Sequence, residues 1–299
     1  MLRARILTAL IQLLRLYVRY SPLQKGRWRV SALIYACANR VPRDYHIVIQ
    51  SNDGRRFLVA PAERQYHMDL LDRGVFEPDV SAEAARWLRP GAVAIDAGAN
   101  FGWYATLFSK LVGSEGQVHA FEPIPHTAAA LAENCRLNDC GNVRINRLAL
   151  GEQKGEVTIY LNPRSACGDA SMYPASSEDA RPTRCTVTTL DAYMAETGLT
   201  RCDFIKCDVE GAELECLRGA RGLLSRFRPV VVVEINPSTL ARARCTGEEL
   251  LLEIGRHGEY VFELIGDGNG TRPKYIAPHD CSMLKSYANV VCYPKSMAM

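Results

Sequence analysis

The chain has 299 residues, 47% hydrophobic and 23% charged, an ordinary globular composition that excludes a disordered or collagen-like protein and fits one large domain or two small ones. Its net charge of +3 is unevenly spread: residues 1–43 hold nine Arg or Lys and no acid, which leaves 27 bases against 33 acids in the rest. A mildly acidic body lacks the broad basic track that nucleic-acid binding needs, so no nucleic-acid partner is expected. The eleven cysteines are odd in number and never spaced C-x-x-C; they read as reduced thiols of a cytoplasmic protein, not as a disulfide framework or a zinc site.

Within the basic segment 1–43, residues Leu2 to Tyr20 are predicted as one helix ended by Ser21-Pro22. Arg5, Thr8, Gln12, Arg15 and Arg19 form a polar sector, and the apolar arc is very wide. The helix's longest uncharged run, Ile6 to Leu14, has nine residues, too few to span a bilayer, and Arg15 and Arg19 after it spoil a signal peptide. Two uses of the arc stay open. It lies in a membrane interface, with Lys25, Arg27 and Arg29 attracting anionic lipid, or it packs on the domain or on a second subunit.

Residues 44–90 read as a hairpin and helical module. From His46 to Ala60, Asn-Asp-Gly stands between two apolar runs, a hairpin signal. Helical spacing covers Tyr66 to Phe76 and Ser81 to Leu88, with Ser81 as N-cap and Pro90-Gly91 as stop. From residue 91 to 299, short apolar runs (AVAID, QVHAF, VRINRLAL, DFIKCD, VVVVEI) alternate with helical segments, the signature of a mostly parallel sheet covered by helices. An inserted hairpin and loop at about 155–188 interrupts the alternation, and its polar stretch Pro163 to Pro182 is long enough to close over a substrate.

The run Asp96-Ala-Gly98-Ala99-Asn100-Phe-Gly102 joins an apolar strand to a helix through two glycines, where backbone approaches a ligand closely. A nicotinamide site wants G-x-G-x-x-G for its pyrophosphate, whereas this turn is G-x-x-x-G beside an acid. Asp96 suits a ligand that brings a cation, such as the α-ammonium of S-adenosylmethionine, and Glu122 ends the next strand where a carboxylate receives both ribose hydroxyls. The alternatives are a nicotinamide-dependent oxidoreductase on a Rossmann-like sheet and a non-catalytic scaffold.

These motifs, with Glu122-Pro123, Thr188-Thr189-Leu190-Asp191 and above all Lys206-Cys-Asp208-Val209-Glu210-Gly211-Ala212-Glu213, resemble the FkbM family of S-adenosylmethionine-dependent methyltransferases over residues 91–236. The resemblance implies a Rossmann-like class I methyltransferase fold with a mostly parallel seven-stranded sheet and helices on both faces. It also implies methyl transfer to a hydroxyl oxygen of a small molecule, sugar or glycan. Asp96, Gly98, Ala99, Asn100, Gly102, Glu122 and Pro123 would bind the cofactor, with adenine near Leu148 to Gly151. The acceptor and the oligomeric state are left undefined.

At the fourth strand, Asp208 and Glu210 are the candidate general bases for the acceptor hydroxyl, and Lys206 the charge that holds them ionised or steadies an alkoxide. Glu210 and Glu213 also suit the N-terminus of the following helix. Asp208, Glu234 and Asn236 offer oxygen ligands to Mg²⁺, an alternative not favoured here, with no metal site assigned. Tyr66, Trp103 and Tyr104 are candidate walls of a sugar cleft, and His67 is the candidate among the histidines.

Overall fold

In the computed structural model, residues 2–20, 26–42, 44–61, 67–161, 170–173, 181–266, 274–284 and 287–298 are described. Seven strands build the central sheet: β1 (Val93–Ala97), β2 (Gln117–Phe121), β3 (Val143–Asn146), β4 (Phe204–Cys207), β5 (Val230–Ile235), β6 (Tyr260–Leu264) and β7 (Ala288–Pro294). Their order is β6-β7-β5-β4-β1-β2-β3, and Lys274–Tyr275 adds a two-residue strand beside β6. β1 to β5 run parallel, and β7 runs antiparallel to both β5 and β6.

Period-two alternation divides the strand residues between two cores. Ile95, Ile205, Val231 and Val233 join one apolar cluster, while Ala94, Phe204, Val230 and Val232 join the other. Both faces are therefore covered, and β5 is buried along its whole length, as the unbroken VVVVEI run requires.

The second cluster is continuous with the N-terminal elements, because Ile11, Ile34, Phe57 and Leu70 belong to it together with Phe108 and Tyr293. Those elements are helix α1 (Leu2–Tyr20), helix α2 (Arg27–Ala38), a hairpin of Ile47–Gln50 and Arg56–Val59, helix α3 (His67–Asp72) and helix α4 (Pro78–Trp87). The hairpin forms around Asn-Asp-Gly as its sequence indicates. Two helix boundaries differ from expectation. α3 is shorter than the spacing suggests, and α4 starts at Pro78, so Ser81 is not its N-cap and instead donates from Oγ to the Phe76 carbonyl at 3.3 Å. Pro78 suits a first helical position, which needs no N–H.

α1 packs one side of its apolar arc on the body, as the docking reading expects. Leu7, Ile11, Leu14 and Val18 pack inward, and the polar sector also faces the body. Arg15 donates to the carbonyls of Leu70, Leu71 and Gln50 at 2.8–3.2 Å, and Gln12 to that of Val48 at 3.1 Å. Burial, with Arg19 nearby, brings the Arg15 guanidinium down to about 10. The rest of the arc is left outside.

After β1 come helices α5 (Trp103–Val112) and α6 (Pro125–Leu137). The expected third strand splits: β3 stops at Asn146, and Ala149–Leu150 pairs elsewhere, in a four-stranded sheet with Arg181–Thr188, Gly155–Leu161 and Ala170–Ser171. Thr189 caps helix α7 (Leu190–Thr197), which leads into β4, and the helical stretch after β4 breaks into α8 (Glu213–Arg218) and α9 (Arg221–Phe227). Asp191 accepts from the Gly222 and Leu223 N–H groups, both at 2.8 Å, so this acid fixes the start of α9.

Candidate functional site

The carboxyl ends of β1, β2 and β4 meet where the strand order reverses, the place where open parallel sheets leave a crevice. A cleft of about 940 Å³, its open mouth included, lies there.

On one side β1 runs into α5 through Gly98 (φ 82°), Asn100 (φ 48°) and Gly102 (φ 93°). Gly98 is required twice over, because a Cβ there would lie 1.8 Å from the Asp208 carbonyl oxygen; the ends of β1 and β4 close directly on each other. The N–H groups of Gly98 and Ala99 both donate to the Phe121 carbonyl, at 3.1 and 2.9 Å. Glu122 then ties the two strand ends: its Oε2 accepts from the Asn100 N–H at 3.1 Å and its Oε1 from the Ile124 N–H at 2.9 Å. Each oxygen keeps a second lone pair for a ligand hydroxyl. Burial pushes the Glu122 carboxyl up to about 7, against the pull of the two N–H groups.

Gly98, Ala99, Asn100, Glu122 and Pro123 line the cleft as expected, and so do Leu148, Ala149 and Leu150. Asp96 and Gly102 do not. Gly102 packs behind the turn, where a Cβ would meet Leu131 Cδ1 at 2.6 Å. Asp96 is wholly buried, and neither of its oxygens has a hydrogen-bond partner. Burial pushes it up to about 7, with Lys206 lowering it and Asp208 raising it. It acts on the site through its field, since it does not reach the cleft surface.

On the other side stands Lys206, 2% exposed, with its Nζ 2.6 Å from Asp208 Oδ2 and 4.6 Å above the Tyr104 ring centroid. Burial alone would lower the ammonium, but the carboxylates of Asp208, Glu77 and Asp96 outweigh it and hold the group above its ordinary range. Tyr104 donates to Glu77 Oε2 at 2.6 Å, Tyr287 donates to Glu77 Oε1, and Asn289 donates to the Tyr287 oxygen at 2.8 Å. Glu77 and Tyr287 come from elements that no sequence motif marks.

Asp208 and Glu210 line the cleft together with Lys206. β4 has already ended at Cys207, and Glu210 (φ 54°) and Gly211 (φ 105°) turn the chain into α8. Glu213 holds that turn: Oε1 accepts from the Val209 and Gly211 N–H groups at 2.9 and 3.1 Å, and Oε2 from Gly211 at 3.1 Å. Burial pushes Glu213 up to about 7. Of the three oxygen donors expected together, Asn236 is elsewhere engaged, capping the helix Pro237–Arg242 by accepting from the Ser238 N–H at 3.2 Å. Glu213 takes its place, and one oxygen each of Asp208, Glu213 and Glu234 lie within 4.8 Å of one another. Burial and the carboxylates of Asp208, Glu210 and Glu213 push Glu234 well above the ordinary carboxylate range. The Lys206 ammonium is the cation that offsets this group.

The remaining walls are apolar. Phe76, missed in the sequence, lines the cleft and packs edge-on against Phe101, Trp103 and Tyr104 at centroid distances of 6.3–6.5 Å. Ile159, Ala170 and Met172 bring the four-stranded sheet onto the opening, and Ser171 donates to the Glu210 carbonyl at 2.6 Å. The alternation of EVTIYLN marks that sheet but not its placement. Trp103 and Tyr104 are wall residues as expected. Tyr66, the side chain of His67 and most of the Pro163 to Pro182 loop lie outside the described residues.

Residues 96–269 match the Methyltransferase FkbM domain. The 2-O-methyltransferase NoeI of Sinorhizobium fredii is 27% identical over 184 residues, 55% of this chain and 74% of that protein. The hexuronic acid methyltransferase AglP of Haloferax volcanii is 32% identical over 143 residues, 47% of this chain and 54% of that one. Across five curated relatives the matched stretch spans 54–74% of the relative's length. A crystal structure of methyltransferase FkbM from Methylobacillus flagellatus KT has a TM-score of 0.43 and 18% identity, covering 77% of this chain and 55% of that one.

Proposed function

The chain belongs to the FkbM methyltransferase family, and from that premise we propose that it is an S-adenosylmethionine-dependent O-methyltransferase acting on a hydroxyl of a sugar, glycan or other small molecule. The observation that carries the reading is one cleft with two dissimilar ends: a glycine turn tied to Glu122, and a buried Lys206 paired with the partly exposed Asp208. Relatives named for 2-O-methylation and for hexuronic acid support a sugar-like acceptor.

The residues present suit the cofactor. Glu122 has oxygen lone pairs left to receive paired hydroxyls, and the backbone of Gly98 to Asn100 leaves no side chain in the way beyond Ala99 and Asn100. When bound, S-adenosylmethionine supplies an electrophilic methyl group on a sulfonium. The chain's own task is to present the acceptor oxygen and take its proton. Asp208 is the base in this reading: Lys206 engages its Oδ2, which fixes the carboxylate and leaves Oδ1 for the hydroxyl proton. Glu210 lines the same end and orients the acceptor, and Lys206 steadies negative charge on the attacking oxygen. Asp96 and Glu77 keep Lys206 charged while it is out of water.

Calorimetric titration with S-adenosylhomocysteine tests the cofactor. Micromolar binding by the wild type, weakened by at least tenfold in Glu122→Gln and retained in Asp208→Asn, is expected. No binding by folded wild type overturns the reading.

A further inference from the structure

α1 leaves part of its apolar arc facing out of the molecule: Leu2, Ile6, Leu13, Leu16, Tyr17 and Tyr20 are 45–74% exposed. By helical geometry these six share one sector, and no charged residue falls between them. The orientation is held in place by the other side of the helix, where Arg15 and Gln12 hydrogen-bond to four backbone carbonyls of the body and Ile11 is fully buried. The helix cannot roll to hide the sector without breaking those bonds. On α2, Trp28 and Leu33 are exposed as well, and the Arg29 guanidinium stands 5.2 Å from the Trp28 ring centroid. A patch of this kind on a folded protein marks a surface with a partner.

The geometry points to an anionic lipid surface as that partner, with α1 lying in the plane of the interface. Charge decides the occupant. Arg3 and Arg5 are exposed at the borders of the apolar sector, Arg29 is exposed on α2, and residues 1–43 contain no acid. A second copy of this surface would bring arginine against arginine, whereas anionic headgroups neutralise them. Tyr17, Tyr20 and Trp28 have the amphipathic rings that sit at headgroup depth. Among the described residues no helix is long and apolar enough to cross a membrane, so the attachment is to one face. This surface is independent of the methyl-transfer reading, since none of its residues lines the cleft.

Flotation of the full chain with vesicles of phosphatidylcholine alone, or of phosphatidylcholine and phosphatidylglycerol in equal parts, tests the assignment. The wild type is expected to float with the mixed vesicles, at least tenfold more strongly than with phosphatidylcholine alone, and to be released by high salt. Leu13→Asp/Leu16→Asp is expected to lose binding at least tenfold while its circular dichroism and melting temperature stay as in the wild type. Arg3→Gln/Arg29→Gln should abolish the preference for the anionic vesicles. Equal flotation of the Asp variant, or no flotation of the wild type, overturns the proposal. So does a wild-type dimer in light scattering that the Asp variant turns into a monomer, because the face would then belong to a second copy.

Discussion

The floor of the cleft and the outer face of α1 break the same rule in opposite directions. Below the cleft, Asp96, Glu122, Lys206, Glu213 and Glu234 are charged residues withdrawn from water, while on α1 six large apolar side chains stand in it. β5, by contrast, is buried along its whole length, and the helix Gly247–Gly255 carries a capping box at Thr246. The difference lies in what would restore balance. The cleft residues are partly satisfied by one another, through the Lys206–Asp208 pair and the N–H groups around Glu122 and Glu213, so their cost is internal. Among the described residues nothing covers the α1 face.

The largest effect should come from closing the point where the two halves of the cleft touch. Gly98→Ala places a Cβ on the Asp208 carbonyl at a left-handed φ, and a loss of about 3 kcal/mol or more with complete loss of S-adenosylhomocysteine binding is expected in denaturation and calorimetry.

Next comes the pair of buried Lys206 and partly exposed Asp208. Lys206→Met leaves four neighbouring carboxyls without their cation and is expected to cost on the order of 3–5 kcal/mol, whereas Lys206→Met/Asp208→Asn should recover part of that. Additive losses in urea denaturation would show that the pair is not a unit.

Acidity sharpens the contrast further. Asp96, Glu122 and Glu213 are each raised to about 7 by burial in the folded protein, so they hold protons there that the unfolded chain releases near pH 4. Their contribution to stability is complete below about pH 4 and is lost as pH climbs through about 7. The melting temperature should therefore fall between about pH 4 and about pH 7 and level off above, by less in Asp96→Asn, which cannot ionise. No difference in slope between the two proteins would remove Asp96 as a source of the effect.

The smallest expected effect belongs to the other region. Leu13→Ser is expected to change stability by less than about 0.5 kcal/mol in the absence of vesicles, because the side chain is 65% exposed. A larger loss would mean that the outer face contributes to the fold.

The parallel strands are readable in the sequence because doubly buried strands must be apolar without a break, and AVAID, DFIKCD and VVVVEI are that. Glu122 and the Gly98 turn are readable because their chemistry follows a strand end in sequence. Asp96 follows the same logic but fails it, since its register in β1 points it beneath the turn, and period two alone does not say which of two neighbouring carboxylates is on top. Glu77 and Tyr287 meet across 210 residues, and no local pattern encodes such a meeting. The wheel of α1 separates polar from apolar correctly; that its arginines would bond to backbone carbonyls of α3 and the hairpin depends on orphan carbonyls that only the folded chain exposes.

The sheet order has a consequence for how the protein is made. β7 follows β6 in the chain yet sits between β6 and β5, paired to both. During synthesis β5 offers an open hydrogen-bonding edge until β7 emerges, and β6 has no place in the sheet before then. Tyr287, one residue ahead of β7, arrives at Glu77 in the same event. The Lys206–Asp208 end of the cleft is thus completed late, in one long-range step, and a nascent chain stalled before β7 presents an apolar edge that invites pairing with other chains or capture by a chaperone.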